Sequence, residues 1–136
     1  MDKKTIVVIG ENWEAQMMAA CALEAAGYDA VTLFDRRNAL RAVRDLKPDL
    51  VLLDMSMPKL KSWQLLKTLR RDAHTQGVPI IGIVPHNEFA EAAMVAGGGL
   101  IDVYSRPMDN RSLIRKVRRV LKDDGQQDHF QHRAVI

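Results

Sequence analysis

Asp54 ends a run that is otherwise apolar, Leu50-Val51-Leu52-Leu53. A carboxylate in that place is costly unless it is solvated, paired or put to use. Glu11 stands in the matching place after Thr5-Ile6-Val7-Val8-Ile9 and Gly10, and Arg106 follows the short run from Leu100 to Tyr104. Two carboxylates with a backbone carbonyl suit a hard divalent cation such as Mg2+, which keeps several of its waters. An arginine beside them pairs with an anion carried on Asp54 or with Asp54 itself. The competing reading is structural, with Asp54, Glu11 and Arg106 as a polar cap where strands stop. Position alone leaves the two open.

These residues act together only if the chain gathers its strand ends. The apolar runs alternate in kind. Residues 5–9, 28–34, 49–54, 78–84 and 100–104 are short runs of the type that is buried on both faces of a sheet. Between them apolar residues recur at helical spacing. Ala15, Met18, Ala19, Ala22, Leu23 and Ala26 precede a stop at Gly27, and Ala39, Ala42, Val43 and Leu46 precede Pro48. Trp63, Leu65, Leu66 and Leu69 mark a third helix, with Trp63 expected in the core. A weaker Ala-rich segment over 87–96 ends at Gly97-Gly98-Gly99, and Leu113, Ile114, Val117, Val120 and Leu121 form a last stripe that Asp109 caps. Five β-then-α units predict an α/β, doubly wound five-stranded parallel sheet. Ligands of such sheets bind at the carboxyl ends of the strands, near the switch in strand order. Asp54, Glu11 and Arg106 fall there.

The 136 residues suffice for one domain, with 47% apolar residues to build its core. The single cysteine, Cys21, excludes an internal disulfide framework and a Cys-rich zinc site. No apolar run approaches the length of a membrane span, and the segment before Gly10 is too short for a signal peptide. A cytoplasmic domain over 1–122 is expected, with 123–136 as a polar tail or the start of a linker. The net charge is +3. From Arg106 to Lys122, seven basic residues against Asp109 give +6, which leaves −3 for the rest of that +3 total. The excess lies on one face of the last helix, at Arg111, Arg115, Arg118, Arg119 and Lys122. This face is either solvated or a surface for a partner. Direct nucleic-acid binding lacks aromatic interleaving. Membrane binding would need the apolar face that the sheet already uses.

The stretch Pro48-Asp49-Leu50-Val51-Leu52-Leu53-Asp54-Met55-Ser56-Met57-Pro58 resembles the phosphoacceptor segment of bacterial response-regulator receiver domains, the chemotaxis-regulator fold. Gly27-Tyr28 and the segment from Gly99 to Pro107 are similar to the same family, and the resemblance covers roughly residues 4 to 122. It implies that a histidine kinase phosphorylates Asp54. It also implies that Glu11, Asp54 and the Ser56 carbonyl hold Mg2+, and that a Ser/Thr and a lysine then bind the phosphoryl group and draw two loops inward. No independent enzyme activity is implied. The family also implies a partner or homodimer surface on the Ala-rich helix and the last helix.

Several positions depart from that pattern. The acidic pair falls on Gly10-Glu11, so the first acid is missing and Mg2+ binding is weakened. The hydroxyl position is Val84, followed by Pro85, which stiffens the loop. The lysine is Arg106, which keeps charge but not shape. The aromatic switch position falls on Val103, while Tyr104 comes one residue later and faces the other side of the strand. The turn after the acceptor, Lys59-Leu60-Lys61-Ser62, has no glycine. The expectation is a signalling module with an atypical switch. The alternatives are a phosphorylation-independent scaffold and, more weakly, a small-molecule-binding α/β domain. The last lacks a Gly-x-Gly-x-x-Gly loop after the first strand.

Overall fold

The computed structural model describes residues 3–85, 99–105 and 109–123. The expected helix over 87–96, Arg106 and the tail from 124 lie outside them. The strands are β1 (Thr5–Ile9), β2 (Asp29–Leu33), β3 (Leu50–Asp54), β4 (Ile80–Val84) and β5 (Asp102–Ser105). The helices are α1 (Trp13–Ala25), α2 (Ala39–Leu46), α3 (Lys61–Arg71) and α4 (Asn110–Leu121). All strand pairs are parallel, in the order β2-β1-β3-β4-β5. The chain winds outward from β1 to β2 and then back across it to β3, which places the switch in strand order between β1 and β3.

Side chains alternate along each strand, so one sheet supplies two cores. Val7, Ile9, Val51, Leu53, Val84 and Val103 pack with Val43 of α2 and with Leu65, Leu66 and Leu69 of α3. Ile6, Val8, Leu50, Leu52, Ile81, Ile83 and Tyr104 pack with Leu23 of α1 and with Leu113 and Val117 of α4. Trp63 is partly buried against the first of these cores. The expected cap of the last helix holds, since the Asp109 carboxylate accepts from the Arg111 N–H at 3.0 Å. The strand expected over 78–84 instead begins at Ile80, after Pro79, which has no N–H to donate to the ladder.

Helix α1 presents a different face from the one its apolar spacing suggested. Gln16, Ala19, Ala20 and Leu23 are buried, whereas Met18 is 66% exposed. Alanine and methionine give little contrast between faces, and the buried set is the one that spaces correctly for Leu23 at i+7 from Gln16. The last strand starts at Asp102 rather than Leu100. The Ile101 N–H reaches the Ile80 carbonyl at 2.8 Å, while Arg70 donates to the carbonyls of Gly99, Gln76 and Val78 and pins the approach to β5 on α3.

At the opposite edge of the sheet, Tyr28 is buried and its hydroxyl donates to the Asp123 carboxylate at 2.8 Å. Burial first, then the Asp123 charge, push the Tyr28 phenol well above its ordinary range. The folded chain therefore keeps this proton at pH values where the unfolded chain, at an ordinary phenol pKa of about 10, has lost it. The stability this proton contributes is complete below that pH and is lost as pH rises beyond it. Urea unfolding followed across alkaline pH is expected to show a midpoint that falls above about pH 10. The Tyr28→Phe variant is expected to start lower and to fall less steeply.

Candidate functional site

Asp54 is the last residue of β3 and is 8% exposed. Its Oδ1 accepts from the Ser56 N–H at 2.9 Å and from the Ser56 hydroxyl at 2.6 Å. These bonds fix the carboxylate and turn the chain at once. The turn is tied down from two further directions. Met55 and Met57 insert into the core beside α2 and α3. The buried Ser62 hydroxyl donates to the Asp54 carbonyl at 2.6 Å and accepts from the Met57 N–H at 3.2 Å, which launches α3.

Gly10, directly after β1, lies against this carboxylate. A Cβ there would sit 3.1 Å from the Asp54 Cβ and 3.4 Å from the Gln16 Oε1. Gln16 comes in from α1, and its Nε2 donates to the Leu33 carbonyl at 2.8 Å and to the Val8 carbonyl at 3.3 Å. The amide thus ties α1 to the ends of β1 and β2. Glu11 is exposed beside them and forms an ion pair with Lys61 at 3.3 Å. The fold therefore gathers Glu11, Asp54 and Ser56 at one edge, with Gln16 and Lys61 as residues that the spacing of apolar positions did not single out. Gln16 is the polar member of a buried i, i+3, i+4, i+7 set that the alanines and methionines of α1 obscured.

Among the described residues, no three His, Cys, Asp or Glu side chains form a group fit to hold a metal. What the edge offers is two carboxylates and neutral oxygens. These are hard donors, which fit Mg2+ but with less charge than three acids would give.

The remaining site positions separate. Val84 is 2% exposed and belongs to the core under α2 and α3, as does Val103. Tyr104 faces α1 and α4, as the strand period requires. Its hydroxyl accepts from the Asp109 N–H at 2.7 Å and donates to the Asp109 carbonyl at 2.9 Å, so it serves the start of α4. Burial raises its pKa. Arg106 lies outside the described residues. On α4, Arg111, Arg115, Arg119 and Lys122 are exposed, but Arg118 is not part of that open stripe. It sits at the flank, half-buried beside Tyr28, because the chain folds back there and Asp123 donates its N–H to the Arg118 carbonyl at 2.8 Å.

Residues 6–118 match the response regulator receiver domain family. A phosphate regulon transcriptional regulatory protein of Pseudomonas aeruginosa is 31% identical over 125 residues, which cover 92% of this chain and 55% of that protein. The DNA-binding response regulator MtrA of Mycobacterium tuberculosis is 29% identical over 120 residues, covering 88% of this chain and 51% of its own length. The chain thus spans about half the length of the curated relatives it matches. Among solved structures, the chemotaxis response regulator CheY4 of Vibrio cholerae superposes with a TM-score of 0.78 at 19% identity, covering 88% of this chain and 99% of that one. The Francisella response regulator 1452 receiver domain gives 0.76 at 23% identity, covering 88% and 98%. Among the described residues, no helix is long and apolar enough to cross a membrane.

The turn between β3 and α3 places Lys59 and Leu60 at φ of 57° and 60°. Neither is glycine, and a side chain in the left-handed region costs roughly 1–2 kcal/mol. Leu60 is 66% exposed, so its side chain gains little packing in return. Thermal unfolding of Leu60→Gly is expected to show stabilisation by about 1 kcal/mol.

Proposed function

The chain belongs to the response regulator receiver domain family and is a receiver of two-component signalling, and from that premise we propose that Asp54 accepts a phosphoryl group from a phosphohistidine. The observation that carries this reading is the carboxylate of Asp54, held by Ser56 at the carboxyl edge beside the switch in strand order. A carboxylate is a competent nucleophile toward phosphorus. One of its oxygens attacks, the P–N bond of the phosphohistidine breaks, and the electron pair leaves on the imidazole. Asp54 becomes an acyl phosphate. Ser56 orients the carboxylate, and the buried Ser62 holds the turn that carries it.

Receiver domains generally bind Mg2+ at the phosphorylation site. Here Glu11, Asp54 and the Ser56 carbonyl would hold it. Bound there, it offsets charge on the transferring oxygens. In this reading the Glu11 carboxylate would exchange its Lys61 partner for that cation, which makes Mg2+ binding weak.

The output in this reading departs from the family's usual switch. A ligand shifts an equilibrium only by its differential affinity for the two states. Val84 has no hydroxyl to offer a phosphoryl oxygen, and Pro85 stiffens the loop after it. Tyr104 is already engaged with Asp109. The signal passes through protein contacts: a histidine kinase upstream, and a partner or second copy on the exposed basic face at Arg111, Arg115, Arg119 and Lys122. In this reading the domain works in the cytoplasm, as a signalling module rather than as an enzyme on other substrates.

Incubation with acetyl phosphate and Mg2+ is expected to add the mass of one phosphoryl group to the wild type and none to Asp54→Asn. Amide resonances near Ser56 are expected to move, while those of Val84 and of 102–105 stay close to their starting positions. An unmodified wild-type chain contradicts the phosphoacceptor role and leaves a phosphorylation-independent scaffold. Large movements at Val84 and in β5 contradict the atypical switch.

A further inference from the structure

The Gln16 side chain is 4% exposed, yet its Oε1 accepts no hydrogen bond among the described residues. Its orientation is not arbitrary. The Nε2 faces two carbonyl oxygens, of Val8 and Leu33, and exchanging the two amide atoms would set oxygen against oxygen. The Oε1 is therefore directed away from those two carbonyls. It lies 3.4 Å from the place a Cβ would occupy at Gly10, and the Asp54 Cβ lies 3.1 Å from the same place.

A buried oxygen that accepts nothing is unfavourable, and only a donor or a cation relieves it. An ionised Asp54 is itself an acceptor, and so is a phosphoryl group on it. A divalent cation, or a water bound to one, satisfies both oxygens at once. Amide carbonyls are ordinary members of oxygen donor sets for such ions. The first acid of the pair is missing at position 10, and the volume an acid there would enter is bordered by the Gln16 amide.

We propose that the Gln16 Oε1 stands in for the acid missing at position 10, and completes with a neutral oxygen the divalent-cation site built on Asp54. This rests on the reading of Glu11, Asp54 and the Ser56 carbonyl as that site. Small residue and long amide work as a pair: Gly10 leaves the room and Gln16 fills it. The exchange of a carboxylate for an amide keeps a hard oxygen in place but removes one negative charge, so the site binds Mg2+ less tightly than one with three acids.

The test is calorimetric titration of the unphosphorylated chain with Mg2+ alone. Gln16→Met removes the oxygen along with the Nε2 bonds. Gln16→Glu also loses the Nε2 bonds but returns an acidic oxygen to the same place. Gln16→Met is expected to weaken Mg2+ binding about tenfold, the usual effect of losing a supporting oxygen at a metal site. Gln16→Glu is expected to bind at least as tightly as the wild type, and Asp54→Asn to abolish binding. Cooperative thermal unfolding without metal checks each fold, and if Gln16→Met fails that check, Gln16→Glu alone decides. Unchanged Mg2+ affinity in folded Gln16→Met, or weakened affinity in folded Gln16→Glu, with binding lost in Asp54→Asn, overturns the role of Gln16 and leaves the cation site standing. No Mg2+ binding by the wild type overturns both.

Discussion

A carboxylate at the end of a strand that is otherwise wholly buried must be satisfied locally, and much of this edge of the molecule follows from how Asp54 meets that demand. Leu50 to Leu53 have no exposed surface, and Asp54 itself has little. Removing such a group from water is costly unless hydrogen bonds replace the water. Ser56 answers with both its N–H and its hydroxyl. That turns the backbone, which sends Met55 and Met57 into the core and brings Ser62 under the strand end to anchor α3. On the other side the neighbouring chain must be thin. Gly10 allows the close approach of β1's end to the Asp54 Cβ.

The same edge bears on the positions at the ends of β4 and β5. The strand period assigns Val84 and Val103 to one core and Tyr104 to the other. Each is buried where an apolar or locally satisfied side chain is stable. Val84 contributes packing instead of a hydroxyl, and Tyr104 spends its hydroxyl on the first turn of α4. These choices stabilise a single arrangement of the edge. A two-state switch needs groups that gain partners in one state and lose them in the other. Here Val84 and Val103 are already packed, and the Tyr104 hydroxyl already has its partners.

The strands were legible because five short apolar runs, several rich in β-branched residues, cannot be solvated on either face. Their alternation with helical stripes then implied the parallel sheet and its carboxyl edge. Asp54 and Glu11 were legible as charges at the ends of those runs, and the opposite facing of Val103 and Tyr104 followed from period two. Other features were not legible. The inner face of α1 hid in a sequence of alanines and methionines, so Met18 was assigned inward and Gln16 was passed over. Arg118 shares its spacing with the exposed arginines, and only the return of the chain at Asp123 draws it toward Tyr28. The left-handed backbone at Lys59 and Leu60 has no glycine to announce it. It arises because the turn must run from Ser56 to Ser62 while both ends are pinned.

The reactivity of the Asp54 carboxylate is the central claim. Borohydride reduces an acyl phosphate to an alcohol, so it converts a phosphorylated aspartate to homoserine while leaving a free carboxylate intact. Peptide mapping after phosphodonor treatment and reduction reads the position directly. The account predicts homoserine at residue 54 and at no other acid. An intact Asp54, or homoserine at another aspartate, would contradict it.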